Sequence, residues 1–278
     1  MLFRRRPEQP PVFHRCPGTS AQISFELEQW YATRLGRLLA EQEQQQLDAE
    51  LVNLFGYHLL HLGNPVDEAM LRASRVRHRM RARLDPYSGT RRHSDRALCA
   101  SPVALPFMPD SLDVVVLSHI LEFSTEPHTV LREVERTLIP EGHVVILGFN
   151  PLSLWGLARL FLGWKRHIPW CGHFLTPTRL KDWLALLGFD VVQQRRYCYR
   201  PPWQHLGPLR RLPSTGWLGR HLWPLFGGGY LLVARKRVVT LTPIRPRWRA
   251  RRRIAVNGLA KPMNQQRQHK GARFEPDR

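Results

Sequence analysis

The chain lacks any run of about 18 uninterrupted apolar residues, which excludes a membrane-spanning helix of the ordinary kind. Its opening, MLFRRRPEQPPVFHRCPG, has no apolar run of the sort a secretory signal needs. Cysteine is scarce: Cys16, Cys99, Cys171 and Cys198 stand far apart with no CxxC pair. That spacing indicates neither a disulfide framework nor a zinc ribbon, so the expected location is the cytoplasm. Acidic residues are few, 22 Asp and Glu against 42 Lys and Arg, for a formal charge of +20. Glycine is scarce where it matters most. The stretch YHLLHLGNPVDEAML, Tyr57 to Leu71, reads as strand, tight turn and helix, yet its turn holds Gly63 alone. No internal repeat is present.

What is there suits one main domain with extensions, since 278 residues exceed the usual span of a single domain, roughly 50 to 250. An apolar content of 43% with nine Trp argues for a globular core, and 23 Pro for irregular ends. The positive charge is concentrated at Arg4 to Arg6, between Arg72 and Arg96, and in RPRWRARRR near the end. Such a field attracts nucleic acid or an anionic membrane surface. Solvated Arg-rich tails explain it equally well, and charge alone does not name a function.

Residues 1–19 read as a flexible basic, Pro-rich tail. From Ser20 to Phe55, Leu35, Leu38, Leu39, Leu47, Leu51 and Leu54 recur at spacings of three and four, which predicts one or two amphipathic N-terminal helices whose apolar stripe packs on the next domain. Residues 56–236 then alternate. YHLLHLG, VRHRMRARLD, RALCAS, DVVVLSH, GHVVILGF, FDVVQQRRYCY and GGGYLLVARKR read as strands. PVDEAMLRASR, EPHTVLREVERTLIP and TPTRLKDWLALLG read as helices, the last two stopped by Pro140-Glu141-Gly142 and by Gly188. Strands alternating with helices imply a parallel sheet covered on both faces, and the last two strands, with no long helix between them, pair antiparallel. Residues 237–278 lose periodicity and read as a disordered basic tail.

The stretch LPFMPDSLDVVVLSHILEFSTEPHTVLREVERTLIPEGHVVILGFNP, Leu105 to Pro151, with RLKDWLALLGFDVV further on, resembles the middle of a class I S-adenosylmethionine (SAM)-dependent methyltransferase of the type-11 kind, the group that includes quinone-biosynthesis methyltransferases. LLHLGN and GFNPLSLWGL are similar to motifs of a subgroup of small bacterial proteins of this kind. The resemblance implies a Rossmann-like, doubly wound, seven-stranded α/β sheet, mostly parallel with an antiparallel last strand. It also implies S-adenosyl-L-methionine across the carboxyl ends of the first strands.

The resemblance then assigns roles. His61 stands at the position of an acid that relatives carry, Gly63 is retained, and Asn64 and Pro65 replace later glycines. Asn tolerates positive φ, and Pro65 suits the first turn of a helix whose N-terminus faces the SAM carboxylate. The expected outcome is a loop that still cradles SAM, more weakly. Asp85 lies at the distance of the ribose-binding acid, although Asp-Pro also starts turns. Arg75, Arg77, Arg79, Arg81 and Arg83 precede it, and one face of an interior strand cannot bury five guanidinium groups, so this segment is exposed at the sheet end or partly helical. Ser101 takes the place of an adenine-contacting acid, with Leu105 and Phe107 as apolar cover or plain core. Ser118 and His119 fall beside the methyl donor, His119 as base, orienter or structural hydrogen-bonding group. His119, Glu122 and Asn150 are the candidate catalytic residues, and in-line methyl displacement requires none of them.

NPLSLWGLARLFLGWKRHIPWCGHF reads as a lid over a hydrophobic acceptor, as a membrane-surface segment, or as a helix packed on the sheet. A small-molecule or lipid-like acceptor is the expected partner, with anionic membrane or nucleic acid engaged through the basic tails. His167, Cys171 and His173 lack a fourth ligand, so no metal is expected. Two other readings stay open: a methyltransferase-fold interaction module with a weakened SAM site, and a nucleic-acid methyltransferase or binder. The second lacks an NPPY-like motif.

Overall fold

A computed structural model describes residues 16, 20–63, 68–84, 97–162, 168–199, 202 and 227–237. The expected tails, residues 1–19 and 237–278, fall outside the described residues except for Cys16 and Arg237. Described residues form helices α1 (Ser20–Tyr31), α2 (Arg34–Leu51), α3 (Pro127–Thr137), α4 (Leu154–Leu162) and α5 (Pro177–Leu186). The strands are β1 (His58–Gly63), β2 (His78–Arg83), β3 (Ala97–Cys99), β4 (Leu112–Ser118), β5 (Leu138–Phe149), β6 (Phe189–Tyr197) and β7 (Gly229–Lys236).

These strands make one sheet in the order β3-β2-β1-β4-β5-β7-β6. β1 to β5 run parallel, and β7 enters between β5 and β6 antiparallel to both. The seven-stranded α/β sheet expected from the sequence is therefore the observed one. Alternation along each strand divides the core. Leu59, Val114, Val116, Val145 and Leu147 face α1, α2 and α4. Leu60, Leu62, Val115, Leu117, Val144 and Ile146 face α3 and α5.

The N-terminal segment is two helices rather than one. Thr33 separates them, its hydroxyl accepting the Gly36 N–H at 3.2 Å as the cap of α2. Their inward residues, Leu27, Leu39, Leu47 and Leu51, merge with the β1 and β4 core. They are needed there because the expected helix over PVDEAMLRASR is reduced, among the described residues, to a single 3-10 turn at Glu68–Leu71. Four residues cannot cover a sheet face, and α1 and α2 do so instead.

A second correction concerns the end of α3, which stops at Thr137 rather than at Pro140-Glu141-Gly142. The Thr137 hydroxyl donates to the carbonyls of Glu133 and Val134, and Leu138 is already extended. Pro140 biases the residue before it away from helix. β5 accordingly begins at Leu138 opposite Leu112 and resumes at His143 opposite Val114, with an irregularity between. Gly188 ends α5 as expected, at φ +80°.

The cysteine reading is also corrected: Cys16 and Cys171 form a disulfide across 155 residues of sequence. Sequence distance says nothing of spatial distance, and the link joins the segment before α1 to the Ile168–Cys171 turn. Cys99 and Cys198 take no part in a disulfide. Among the described residues no helix is long and apolar enough to cross a membrane.

Candidate functional site at the carboxyl ends of β1 and β4

The chain moves outward from β1 through β2 to β3 and then returns to β4 on the other side of β1. Connections leave these two neighbours in opposite directions, and open α/β sheets bind ligands in a crevice at such a reversal, beyond the carboxyl ends of the strands. Gly63 and Ser118 are paired in register there. Gly63 has φ +111°, and a Cβ on it would lie 1.9 Å from the Ser118 carbonyl oxygen. Only glycine satisfies both the conformation and the approach.

His61 is fully buried, with Nε2 2.8 Å from Ser118 Oγ. Burial, reinforced by the Arg81 guanidinium, lowers its pKa to about 4, so the ring is neutral. Its Nδ1 is buried with no hydrogen-bond partner among the described residues. A neutral imidazole with an unused nitrogen, beside a glycine turn and a serine hydroxyl, fits the amino-acid end of SAM. Asn64 and Asp85, the other expected contacts near this end, lie outside the described residues, as does Pro65.

His119 follows Ser118 at φ +53°. Its Nε2 lies 2.8 Å from Glu43 Oε1, and its Nδ1 lies 3.4 Å from Glu122 Oε1. Tyr31 donates to Glu43 Oε2 at 3.0 Å and Tyr197 to Glu43 Oε1 at 3.3 Å. Burial pushes both phenols well above their ordinary range, with the Glu43 carboxylate adding to it, so both remain donors. Burial alone would lower the His119 pKa, but the Glu43 and Glu122 carboxylates outweigh it and raise it to about 10. The ring is therefore a fixed imidazolium and not a free base.

Glu122 also accepts the Phe149 N–H at 2.8 Å, holding the turn after β4 against the end of β5. Asn150 is spent on backbone: its amide donates to Gly227 O at 3.0 Å and its carbonyl accepts the Leu152 N–H at 3.1 Å. His61, Gly63, Ser118, His119, Glu122 and Asn150 thus gather at one sheet edge. Ser101 is exposed in a turn where Ala104 N donates to its carbonyl. Leu105 and Phe107 are strapped to α3: Leu105 N donates to Glu133 Oε1 at 2.8 Å, and Arg136 donates to the Phe107 carbonyl at 2.9 Å. Cys171 is committed to its disulfide, and no metal-binding group occurs among the described residues.

Glu43, Tyr31 and Tyr197 were not among the expected site residues. Glu43 carried a signal nonetheless, because it sits four residues from both Leu39 and Leu47 on the buried stripe of α2. A carboxylate inside an apolar stripe needs a buried partner. The segment NPLSLWGLARLFL shows two faces in α4: Trp155 and Ala158 are buried, with Trp155 edge-on to Trp30 of α1, whereas Leu157 and Leu160 are exposed.

The family model described as a methyltransferase domain matches residues 56–146. The protein YafS of Escherichia coli (strain K12) is 34% identical over 213 residues, 77% of this chain and 82% of YafS. A SAM-dependent methyltransferase of Thermotoga maritima superposes with a TM-score of 0.58 at 15% identity, covering 78% of this chain and 98% of that one. A methyltransferase in complex with the Haloferax volcanii Trm112 activator superposes with a TM-score of 0.56 at 18% identity, with the same coverage.

Proposed function

We propose SAM-dependent methyl transfer to a small or lipid-like acceptor for this chain, which belongs to the family of Escherichia coli YafS and has the class I methyltransferase fold. The observation that carries the reading is the convergence of Gly63, the unpartnered His61 Nδ1 and Ser118 at the crevice where the strand order reverses. SAM, when bound, supplies a methyl group on a sulfonium. His61 and the Gly63 backbone hold its amino-acid end, while Ser118 fixes the His61 ring. His119, locked between two carboxylates, keeps the β4 end rigid and moves no proton. Rate enhancement then rests on alignment and exclusion of water, which suffices for in-line displacement at a sulfonium. The exposed Leu157 and Leu160 of α4, the helix that follows β5, favour an apolar acceptor.

A second reading, an interaction module that binds SAM weakly or not at all, draws on the 3-10 turn at Glu68–Leu71 where a full helix was expected. Calorimetric titration of the full chain with SAM and S-adenosylhomocysteine separates the two. Micromolar binding that Gly63→Ala abolishes supports the enzyme and justifies a search for labelled methyl transfer into lipid and quinone-precursor fractions. No heat at millimolar ligand, from a protein whose fold is intact by circular dichroism, rejects it in favour of the module.

A further inference from the structure

At the opposite edge of the sheet, the turn entering β1 presents Phe55 and Tyr57 to solvent at 65% and 69% exposure. This display is built. The Asp113 carboxylate accepts the N–H groups of Tyr57 and His58 at 3.0 and 2.9 Å, fixing the turn from below. Gly56, at φ +152°, lies so close that a Cβ would sit 2.4 Å from Asp113 Cβ. A half-buried acid and an obligatory glycine thus hold two large rings outward, where burial would have been the cheaper fate for both.

Around these rings stand groups of one chemical character. His58 and His78, paired in register across β1 and β2, stack with centroids 5.4 Å apart and planes at 20°. The Arg75 guanidinium lies 5.6 Å over the Phe55 ring. Arg72, Arg75 and Arg77 are exposed, and none has an acidic partner among the described residues. The Asp113 carboxylate is engaged by the backbone of the turn. Four planar rings and three guanidinium groups thus belong to the two segments that enter β1 and β2, residues 55–58 and 72–78, which the Arg75–Phe55 and His58–His78 contacts bring together.

We propose that the rim formed by Phe55, Tyr57, His58, His78 and Arg72, Arg75 and Arg77 is a docking surface for single-stranded nucleic acid. Rings stack on bases of any sequence and guanidinium groups neutralise the phosphates between them. A bilayer is the poorer match, because interfacial binding lays the apolar face of an amphipathic helix into the lipid, and Phe55 and Tyr57 stand on a turn rather than on a helix. The overall charge of +20 brings a polyanion to the molecule. The rim lies at the amino ends of β1 and β2, away from the crevice, so the proposal stands or falls separately from methyl transfer.

The test uses the full chain and a fluorescent 12-nucleotide oligouridylate, titrated across a range of salt. Phe55→Ser combined with Tyr57→Ser leaves the charge unchanged, and its expected effect is a loss of affinity of about tenfold or more, from base stacking, with the salt slope preserved. Arg72→Gln, Arg75→Gln and Arg77→Gln together should make the slope of log affinity against log salt shallower by about 2, as three released single-strand counterions require. All five positions are exposed, and unchanged melting temperatures will show that the variants fold. Absence of binding by the wild-type chain, or wild-type binding by both variants, overturns the proposal. So does a result in which the oligonucleotide is bound equally while vesicles of phosphatidylglycerol and phosphatidylcholine lose the variants.

Discussion

Glu43 of α2 and His119 at the end of β4 form an ion pair 2.8 Å long, with both side chains fully sealed from solvent. The pair joins the N-terminal helices to the crevice of the sheet. Removing one partner of a buried pair strands the other, at a cost of about 3 to 5 kcal/mol. Glu43→Gln should therefore lower the unfolding free energy by that order in denaturant titrations. Tyr31 and Tyr197, which donate to the same carboxylate, keep an amide oxygen to bond with, so the loss should be smaller than for Glu43→Leu. Equal stability of the glutamine variant and the wild type would show that the pair contributes nothing.

The two buried histidines titrate in opposite senses. His119 is raised to about 10, so its contribution is full below the unfolded value of 6.5 and is lost as pH climbs towards 10. His61 is lowered to about 4, so the unfolded chain takes up its proton first and stability falls as pH drops from 6.5 towards 4. Each limb has a slope of up to about 1.4 kcal/mol per pH unit. Stability should peak near the common unfolded value, and His119→Gln should flatten the alkaline limb only. An alkaline limb unchanged in that variant would remove His119 as its source.

Gly63→Ala places a methyl group within 1.9 Å of the Ser118 carbonyl at a φ of +111°. β1 and β4 cannot both keep their ends, and a non-glycine residue in such a conformation costs on the order of 1 to 3 kcal/mol before the clash is counted. A melting temperature several degrees lower is expected, together with loss of any SAM-induced stabilisation in the same melts. A variant that melts and binds as the wild type does would mean that the turn after β1 is not held as described.

Alternation of apolar runs with helical periodicity makes the strand and helix order readable, and the lack of a long helical pattern between the last two strands points to their antiparallel pairing. Helix length was the poorer inference. PVDEAMLRASR has the composition of a helix, yet among the described residues it holds a 3-10 turn at Glu68–Leu71, and α1 and α2 cover that face of the sheet. Local propensity cannot register a competitor located earlier in the chain. Glu43 shows in the sequence only as a carboxylate on an apolar stripe, and its partner His119 becomes visible only once α2 is laid across the sheet. The resemblance places His61, Gly63, Ser118 and His119 in and just after the carboxyl halves of β1 and β4, and the structure puts them there. The arginines of β2 resolve physically: Arg83 pairs with Glu28 of α1 at 3.2 Å and Arg79 donates to the Leu71 carbonyl at 3.0 Å.

The Cys16–Cys171 disulfide closes a loop spanning 155 residues of sequence. Closing a long loop restricts the unfolded chain and typically contributes about 2 to 4 kcal/mol. Cys16→Ser should lower the denaturation midpoint in non-reducing buffer, and dithiothreitol should bring the wild type to the same midpoint without affecting the variant. If reductant shifts both equally, the stabilisation comes from elsewhere.

β7 lies between β5 and β6 although it follows both in the chain. A ribosome therefore releases β5 and β6 with facing edges unfilled, and neither edge can be completed until Lys236 has been made. Until then β5 exposes a row of unpaired backbone groups of the kind that invites pairing with another chain. Dependence on a late, non-local strand slows folding and lengthens exposure to aggregation, which makes the nascent chain a natural client for chaperones that shield strand edges during synthesis.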